Sequence, residues 1–158
     1  MINNLPKKYE KSKNKITQKH IYNKRAFFDY EILEKIEAGL VLKGDEVKAI
    51  RTGKTELRGS FAKIFYNQKK PELYIVGLYL GSENQDTQRT RKLLVHKTEI
   101  NKLIGKTQEK GLTLIPTRLY FKRGKAKLEI GIARPKKKWD KRQVIKEKEF
   151  KRSSKFHR

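Results

Sequence analysis

The sequence predicts an α+β domain, mainly β and closed or partly closed into an antiparallel barrel, with a few helices and a disordered basic tail at each end. Three observations lead there. Short segments of alternating apolar and polar residues recur through the middle of the chain between turn-forming residues, the period-two signature of half-buried antiparallel strands. Only two stretches carry helical spacing, so helix is the minority. The charge is uneven: residues 1–25 carry net +7, residues 132–158 net +9, and the longer middle only +8. The two ends also lack the apolar density that offsets the entropy of ordering a chain. The expected organisation of these 158 residues is a flexible basic arm at 1–22, a barrel domain at 23–133 and a basic tail at 134–158.

In chain order, FFDYEILEKI (27–36) alternates through Phe28, Tyr30 and Ile32 and is predicted as a strand. DEVKAIR (45–51), between Gly44 and Gly53, is a short helix with Val47 and Ile50 able to face inward. SFAKIFYN (60–67) and ELYIVGLYL (72–80) flank NQKKP, a hairpin connection in which Pro71 limits pairing at the second strand's start. KTEINKLIGKTQEKG (97–111) reads as a helix: Ile100, Leu103 and Ile104 share a face, Glu99 lies near its start, and Lys106 and Lys110 near its end. Gly111 stands where a helix stop belongs. LTLIPTRLYF (112–121) and KAKLEIGIA (125–133) form a hairpin through a tight turn at Lys122, Arg123 and Gly124. On its second strand Leu128, Ile130 and Ile132 share one face, Lys127 and Glu129 the other. Pro135 closes this strand and the ordered core. An antiparallel barrel of the oligonucleotide-binding type is built this way, and it accepts RNA.

Charge narrows the function. Lys and Arg number 41 against 17 Asp and Glu, a formal net charge of +24, which points to a polyanionic partner. There is no cysteine for a disulfide or thiolate metal site, and MINNLPKKYEKSKNKI has no signal-peptide apolar core. The longest apolar run, YIVGLYL (74–80), is too short to cross a bilayer, so a cytoplasmic protein is expected. Catalytic readings are weaker. GKT (53–55) lacks the glycine that a phosphate loop needs five residues earlier, where Lys48 stands. Asp45, Glu46 and Lys48 resemble the metal-and-lysine set of some nucleases, but on a short helix such residues more often form a solvated face. His20, His96 and His157 show no ligand spacing. Tyr120 and Phe121 beside Lys122 and Arg123 either stack on RNA bases or pack in the core beneath solvated lysines, and residue type alone leaves both open.

Five segments in register resemble one family. NKRA (23–26), EAGLVLKGDEVKAIRTGK (37–54), RTRKLLVHKTEI (89–100), GLTLIPTRLYFKRGKAKLEIGIA (111–133) and KKKWDKR (136–142) closely resemble the SsrA-binding protein, or small protein B, family over about residues 23–150. The resemblance implies an oligonucleotide-binding barrel that holds the tRNA-like part of transfer-messenger RNA. It also implies delivery of that RNA to the empty A site of stalled ribosomes in trans-translation, by a monomer with no catalysis, cofactor or metal. The alternatives are a ribosome-associated structural RNA-binding protein and, further off, a metal-dependent nuclease.

By the same resemblance, RNA contact falls on Asn23, Lys24 and Arg25 of NKRA, on Glu37, on Arg91, Lys92 and Leu94 of RKLLV, and on Lys127. Asn offers donor and acceptor to base edges, and a carboxylate amid cations accepts from amino groups and 2′-hydroxyls. Without the resemblance, Glu37 reads as an exposed partner of Lys35 or Lys43, and Leu94 as core. The tail residues Lys136, Lys137, Trp139, Asp140, Lys141 and Arg142 are placed near the decoding centre, in a tail that is disordered when free and helical in the empty mRNA path. Asp140 can cap a helix start, Val144 and Ile145 give an apolar side, and Glu147 pairs with Lys151. About a dozen such residues are marginal as an isolated helix. The bland alternative is an unstructured electrostatic anchor. Phe28 stands where a His is usual, the 81–88 loop is short and lacks the usual His and Pro, and Pro135 replaces a common Gly.

Overall fold

The computed structural model describes residues 20–81 and 87–155. They form, in order, β1 (Ile21–Tyr22), α1 (Lys24–Asp29), β2 (Tyr30–Leu40), α2 (Gly44–Arg51), β3 (Thr55–Glu56), β4 (Phe61–Asn67) and β5 (Lys70–Val76). Then come β6 (Tyr79–Leu80), β7 (Arg91–Leu94), α3 (Lys97–Gln108), β8 (Thr113–Lys122), β9 (Lys125–Pro135) and α4 (Lys138–Lys155). The strands β8-β4-β5-β7-β2-β9 form a ring that closes because β9 pairs back onto β8; β1 adds to β8, and β3 and β6 pair separately. All these pairings are antiparallel. The predicted barrel is the observed one.

Alternation decides what fills it. Leu128, Ile130 and Ile132 of β9 face inward as predicted, among Leu73, Ile75, Leu93, Leu114 and Leu119, with Ile50 of α2 and Leu103 of α3 joining them. Ile115 and Ala133 point the other way and are buried outside the barrel with Ala26 of α1, Tyr30 and Ile32. The apolar run at 130–133 is therefore unbroken because both faces of the strand are covered there.

Two irregularities bend the ring. Register shifts between Ile32 and Glu34 on β2 and between Pro116 and Arg118 on β8 flank β9 on both sides. Proline has no N–H to give a ladder, so a bulge accommodates Pro116 within a strand. Between the bulges lies Gly131, where a Cβ would come 3.0 Å from Ile32 Cγ2 and 3.1 Å from Thr117 Cγ2. A side chain there would hold the strands apart.

Several expectations are corrected. Phe27 and Phe28 belong to helix α1, and the strand starts only at Tyr30. The Asn23 side chain accepts from the Ala26 N–H (3.1 Å) and so caps that helix, overriding the alternation that runs through Phe28. ELYIVGLYL is broken at Gly77 (φ +76°) into β5 and β6. Helix α3 stops at Gln108, ahead of Gly111. NQKKP is tighter than expected: Asn67 pairs with Lys70 across Gln68 and Lys69, both at positive φ. Pro71 pairs with Tyr66 inside the strand. β1 pairs with β8 ahead of Asn23, inside the stretch expected to be a flexible arm; the rest of that arm, 1–19, lies outside the described residues. Most of the 81–88 loop (82–86) and the last three tail residues do too.

Candidate nucleic-acid interface

Strand register assembles the site. Leu94 is opposite Gly39, Gly39 opposite Lys127, and Lys127 opposite Tyr120, so one row crosses β7, β2, β9 and β8. Gly39 leaves a gap in that row: a Cβ there would lie 3.3 Å from Leu94 Cβ. The result is a cleft of about 750 Å³ lined by Glu37, Val41, Leu94, His96, Lys125 and Lys127 among others. Leu94 is 56 % exposed, an apolar surface that the core does not use. An apolar patch with a carboxylate and lysines beside it suits an unstacked base with its sugar and phosphate.

Glu37 is not the plain surface carboxylate that residue type suggests. It accepts a short hydrogen bond from the Tyr120 hydroxyl, and the ammonium groups of Lys122 and Lys127 lie 3.6 and 3.9 Å away. The Tyr120 hydroxyl, helped by these lysines, holds the Glu37 carboxyl below the usual carboxylate range against the opposing effect of desolvation. Burial, and then the Glu37 carboxylate, push Tyr120 up to about 12. Tyr120 is thus not a free stacking platform, being only 6 % exposed. It faces outward but is covered by His20, stacked at 5.4 Å, and by the Arg118 guanidinium at 4.4 Å. Phe121 packs against the core with Arg51 over its ring. The sequence carries a signal for the Tyr120 role: the tight turn at Arg123 and Gly124 makes Lys122 pair with Lys125, which puts Tyr120 opposite Lys127.

The NKRA motif divides its work. Asn23 is buried (5 % exposed), and its Nδ2 donates to the Pro116 carbonyl at 2.9 Å besides capping α1. It joins helix to barrel, with both its amide nitrogen and its amide oxygen engaged within the fold. Lys24 and Arg25 are exposed on α1; Arg25 Nε donates to Asp29 (2.7 Å) and its guanidinium lies over Phe28.

RKLLV is split by alternation. Arg91, expected to meet RNA, is 1 % exposed. Its guanidinium donates to Glu46 Oε1 (2.9 Å) and to the carbonyls of Leu78 (2.7 Å), Arg89 (3.1 Å) and Thr87 (3.3 Å). Lys92 faces outward and pairs with Glu72 at 2.8 Å. Glu46, a candidate metal ligand by residue type, is buried and also accepts from Arg89 and from the Lys43 N–H. Burial alone would raise its pKa; Arg89, the Lys43 N–H and Arg91 together bring it down to about 2. Both its oxygens are committed within the fold, which takes one of the two carboxylates of the nuclease reading, Glu46, away from a metal.

The tail, expected to be disordered until bound, is described here as helix α4 from Lys138 to Lys155. Asp140 Oδ2 accepts from the Lys137 N–H (3.3 Å) at its start. It meets helix α1 through Lys141, 3.2 Å from Asp29 Oδ1, Lys148 over the Phe28 ring, and Lys136, which donates to the Phe27 carbonyl (3.0 Å). Trp139 is 67 % exposed, and Lys137 and Arg142 are exposed too. None of the described helices is long and apolar enough to cross a membrane.

The SmpB protein family matches residues 20–157. The SsrA-binding protein of Syntrophobacter fumaroxidans is 45 % identical over 155 residues, covering 94 % of this chain and 91 % of its own. That of Nitratiruptor sp. is 54 % identical over 134 residues, covering 80 % and 87 %. A solved chain described as "tmRNA-SmpB: a journey to the center of the bacterial ribosome" is 48 % identical, covers 75 % of this chain and 85 % of its own, and superposes with a TM-score of 0.63. With a family match across the barrel, α1 and α4, and relatives this similar over most of its length, the chain belongs to the SmpB protein family.

Proposed function

We propose that this protein binds the tRNA-like domain of transfer-messenger RNA and delivers it to stalled ribosomes for trans-translation, acting in the cytoplasm as a monomer and cutting no bond. The observation that carries the reading is the cleft. Glu37, Leu94 and Lys127, far apart in sequence, line one hollow of a barrel whose chain belongs to the SmpB protein family. In it Leu94 packs against an unstacked base. Glu37, oriented by Tyr120, accepts from an amino group or 2′-hydroxyl, and Lys127 neutralises a phosphate; Lys24, Arg25 and Lys92 serve flanking phosphates. Lys136, Lys137, Trp139, Asp140, Lys141 and Arg142 act apart from this cleft, in the vacant mRNA path near the decoding centre, where the exposed Trp139 ring stacks on a base.

The test is Glu37→Ala. If the surface attracts RNA by charge alone, removing a carboxylate that faces Lys122 and Lys127 leaves affinity for the tRNA-like RNA unchanged or higher. If Glu37 makes a charge-assisted hydrogen bond to RNA, its loss costs about 1.5 to 3 kcal/mol, roughly tenfold or more in Kd. Unweakened binding by a folded variant at physiological salt overturns the assignment.

A further inference from the structure

Outside the Glu37 cleft, the face of β4 and β5 alternates aromatic and cationic side chains. Phe61, Lys63 and Phe65 recur at every second position of β4 and are all exposed. On β5, Tyr74 lies opposite Lys63 on one side and opposite Lys92 of β7 on the other. The Phe65 and Tyr74 rings meet edge-on, with centroids 5.5 Å apart and planes at 82°. Glu72 accepts from the Tyr74 hydroxyl at 2.7 Å and pairs with the Lys92 ammonium at 2.8 Å, which fixes the Tyr74 ring. The Lys63 ammonium lies 5.4 Å from the Phe65 centroid. The rings border a shallow cleft of about 450 Å³, with Tyr66 and Asn67 also lining it.

Single exposed aromatic residues need no explanation, but a held pair of rings interleaved with lysines has the make-up of a single-stranded nucleic-acid platform. Its surroundings match a polyanion: Lys69 and Lys70 stand at the hairpin end, and Lys63 and Lys92 flank Tyr74. It also adjoins the first cleft, because Lys92 and Leu94 share a face of β7 about 7 Å apart along the strand.

We infer that this face is a second RNA subsite, in which Phe65 and Tyr74 hold an unpaired nucleotide of the same RNA that occupies the Glu37 cleft; the inference rests on the RNA-binding function proposed above. An exposed lysine–ring contact is weaker than base–aromatic stacking. An incoming base therefore displaces the Lys63 ammonium from the Phe65 ring toward a neighbouring phosphate. Specificity is low in such a subsite, since every base has a π-face. What it adds is affinity for RNA that carries a single strand beside the folded part.

The full-length chain is tested with two probes, a tRNA-like RNA with closed ends and the same RNA with a single-stranded extension of about eight nucleotides, within the site size of small binding barrels. Phe65→Ala is expected to lower affinity for the extended RNA about tenfold and leave the closed RNA unaffected, whereas Glu37→Ala weakens both. Phe65→Leu, which keeps an apolar side chain but cannot stack, follows the same pattern and serves if the alanine variant misfolds. Equal affinity of Phe65→Ala and the parent chain for the extended RNA overturns the inference, as does equal weakening on both RNAs. A photo-crosslinking residue at position 65 should yield an adduct with the extension; adducts only with protein in cell lysate overturn it in favour of a protein partner. If Glu37→Ala has no effect and neither RNA is preferred over a duplex, it is the proposed function itself that fails.

Discussion

Replacing Glu46 by Gln keeps shape and removes charge at the centre of a buried ionic cluster. Arg91 has no exposed side-chain surface, and Glu46 is its carboxylate partner, 2.9 Å away. Removing one member of such a pair leaves the other charge uncompensated and costs about 3 to 5 kcal/mol. Linkage gives a second estimate. A carboxyl with a pKa of 4.5 when unfolded and about 2 when folded contributes roughly 3 kcal/mol at neutral pH. The folded value is depressed, so this contribution is complete above pH about 4.5 and disappears as pH falls towards 2. Urea unfolding at pH 7 should therefore show Glu46→Gln about 3 kcal/mol or more less stable than the parent chain. By pH 3 the gap should have narrowed by about 2 kcal/mol, because the unfolded parent chain then binds a proton at Glu46 that the folded chain still lacks. A gap independent of pH would refute the linkage. Equal stability at pH 7 would mean that the carbonyls of Leu78, Arg89 and Thr87 satisfy Arg91 without a carboxylate.

Other outcomes follow from the turn, the tail and the chemistry. Lys69→Gly should raise stability by about 1 kcal/mol in the same urea assay, since Lys69 sits at φ +67° where a Cβ is disfavoured; a loss would mean its side chain contributes more than the backbone relief. Replacing Asp140, Lys141 and Arg142 by Ala should impair single-turnover peptide transfer to alanyl transfer-messenger RNA more than replacing Lys151, Arg152 and Lys155, with RNA binding checked separately; the reverse order would make the tail a plain anchor. Purified protein with Mg²⁺ or Mn²⁺ should leave RNA intact over hours, and cleavage lost on changing Asp45 would restore the nuclease reading.

The last hairpin was the most legible part of the chain. A tight turn fixes register, alternation then sorts Leu128, Ile130 and Ile132 from Lys127 and Glu129, and no distant contact alters the result. Helix α1 was hidden because Phe28, Tyr30 and Ile32 continue a period of two straight through its boundary, and its cap, Asn23, is anchored by a carbonyl 93 residues away. The burial of Arg91 was hidden for a related reason: the resemblance set it among the RNA contacts, and the buried carboxylate that draws it inward is 45 positions distant. At the candidate site, the resemblance brought Glu37, Leu94 and Lys127 together, but the Tyr120 hydroxyl that orients Glu37 follows only once hairpin and barrel registers are combined.

The side-chain contacts that hold α4 to α1 run through lysines: one on a carboxylate, one on an aromatic ring, and one, just ahead of the helix, on a carbonyl. Partly exposed attachments of this kind are each worth on the order of 1 kcal/mol and weaken as salt rises. A phosphate-lined surface offers the same ammonium groups many anions in place of Asp29, so lifting the helix off there is an exchange of partners rather than a loss of them. Low ionic strength strengthens these contacts, and a nearby polyanion draws the same charges away from them.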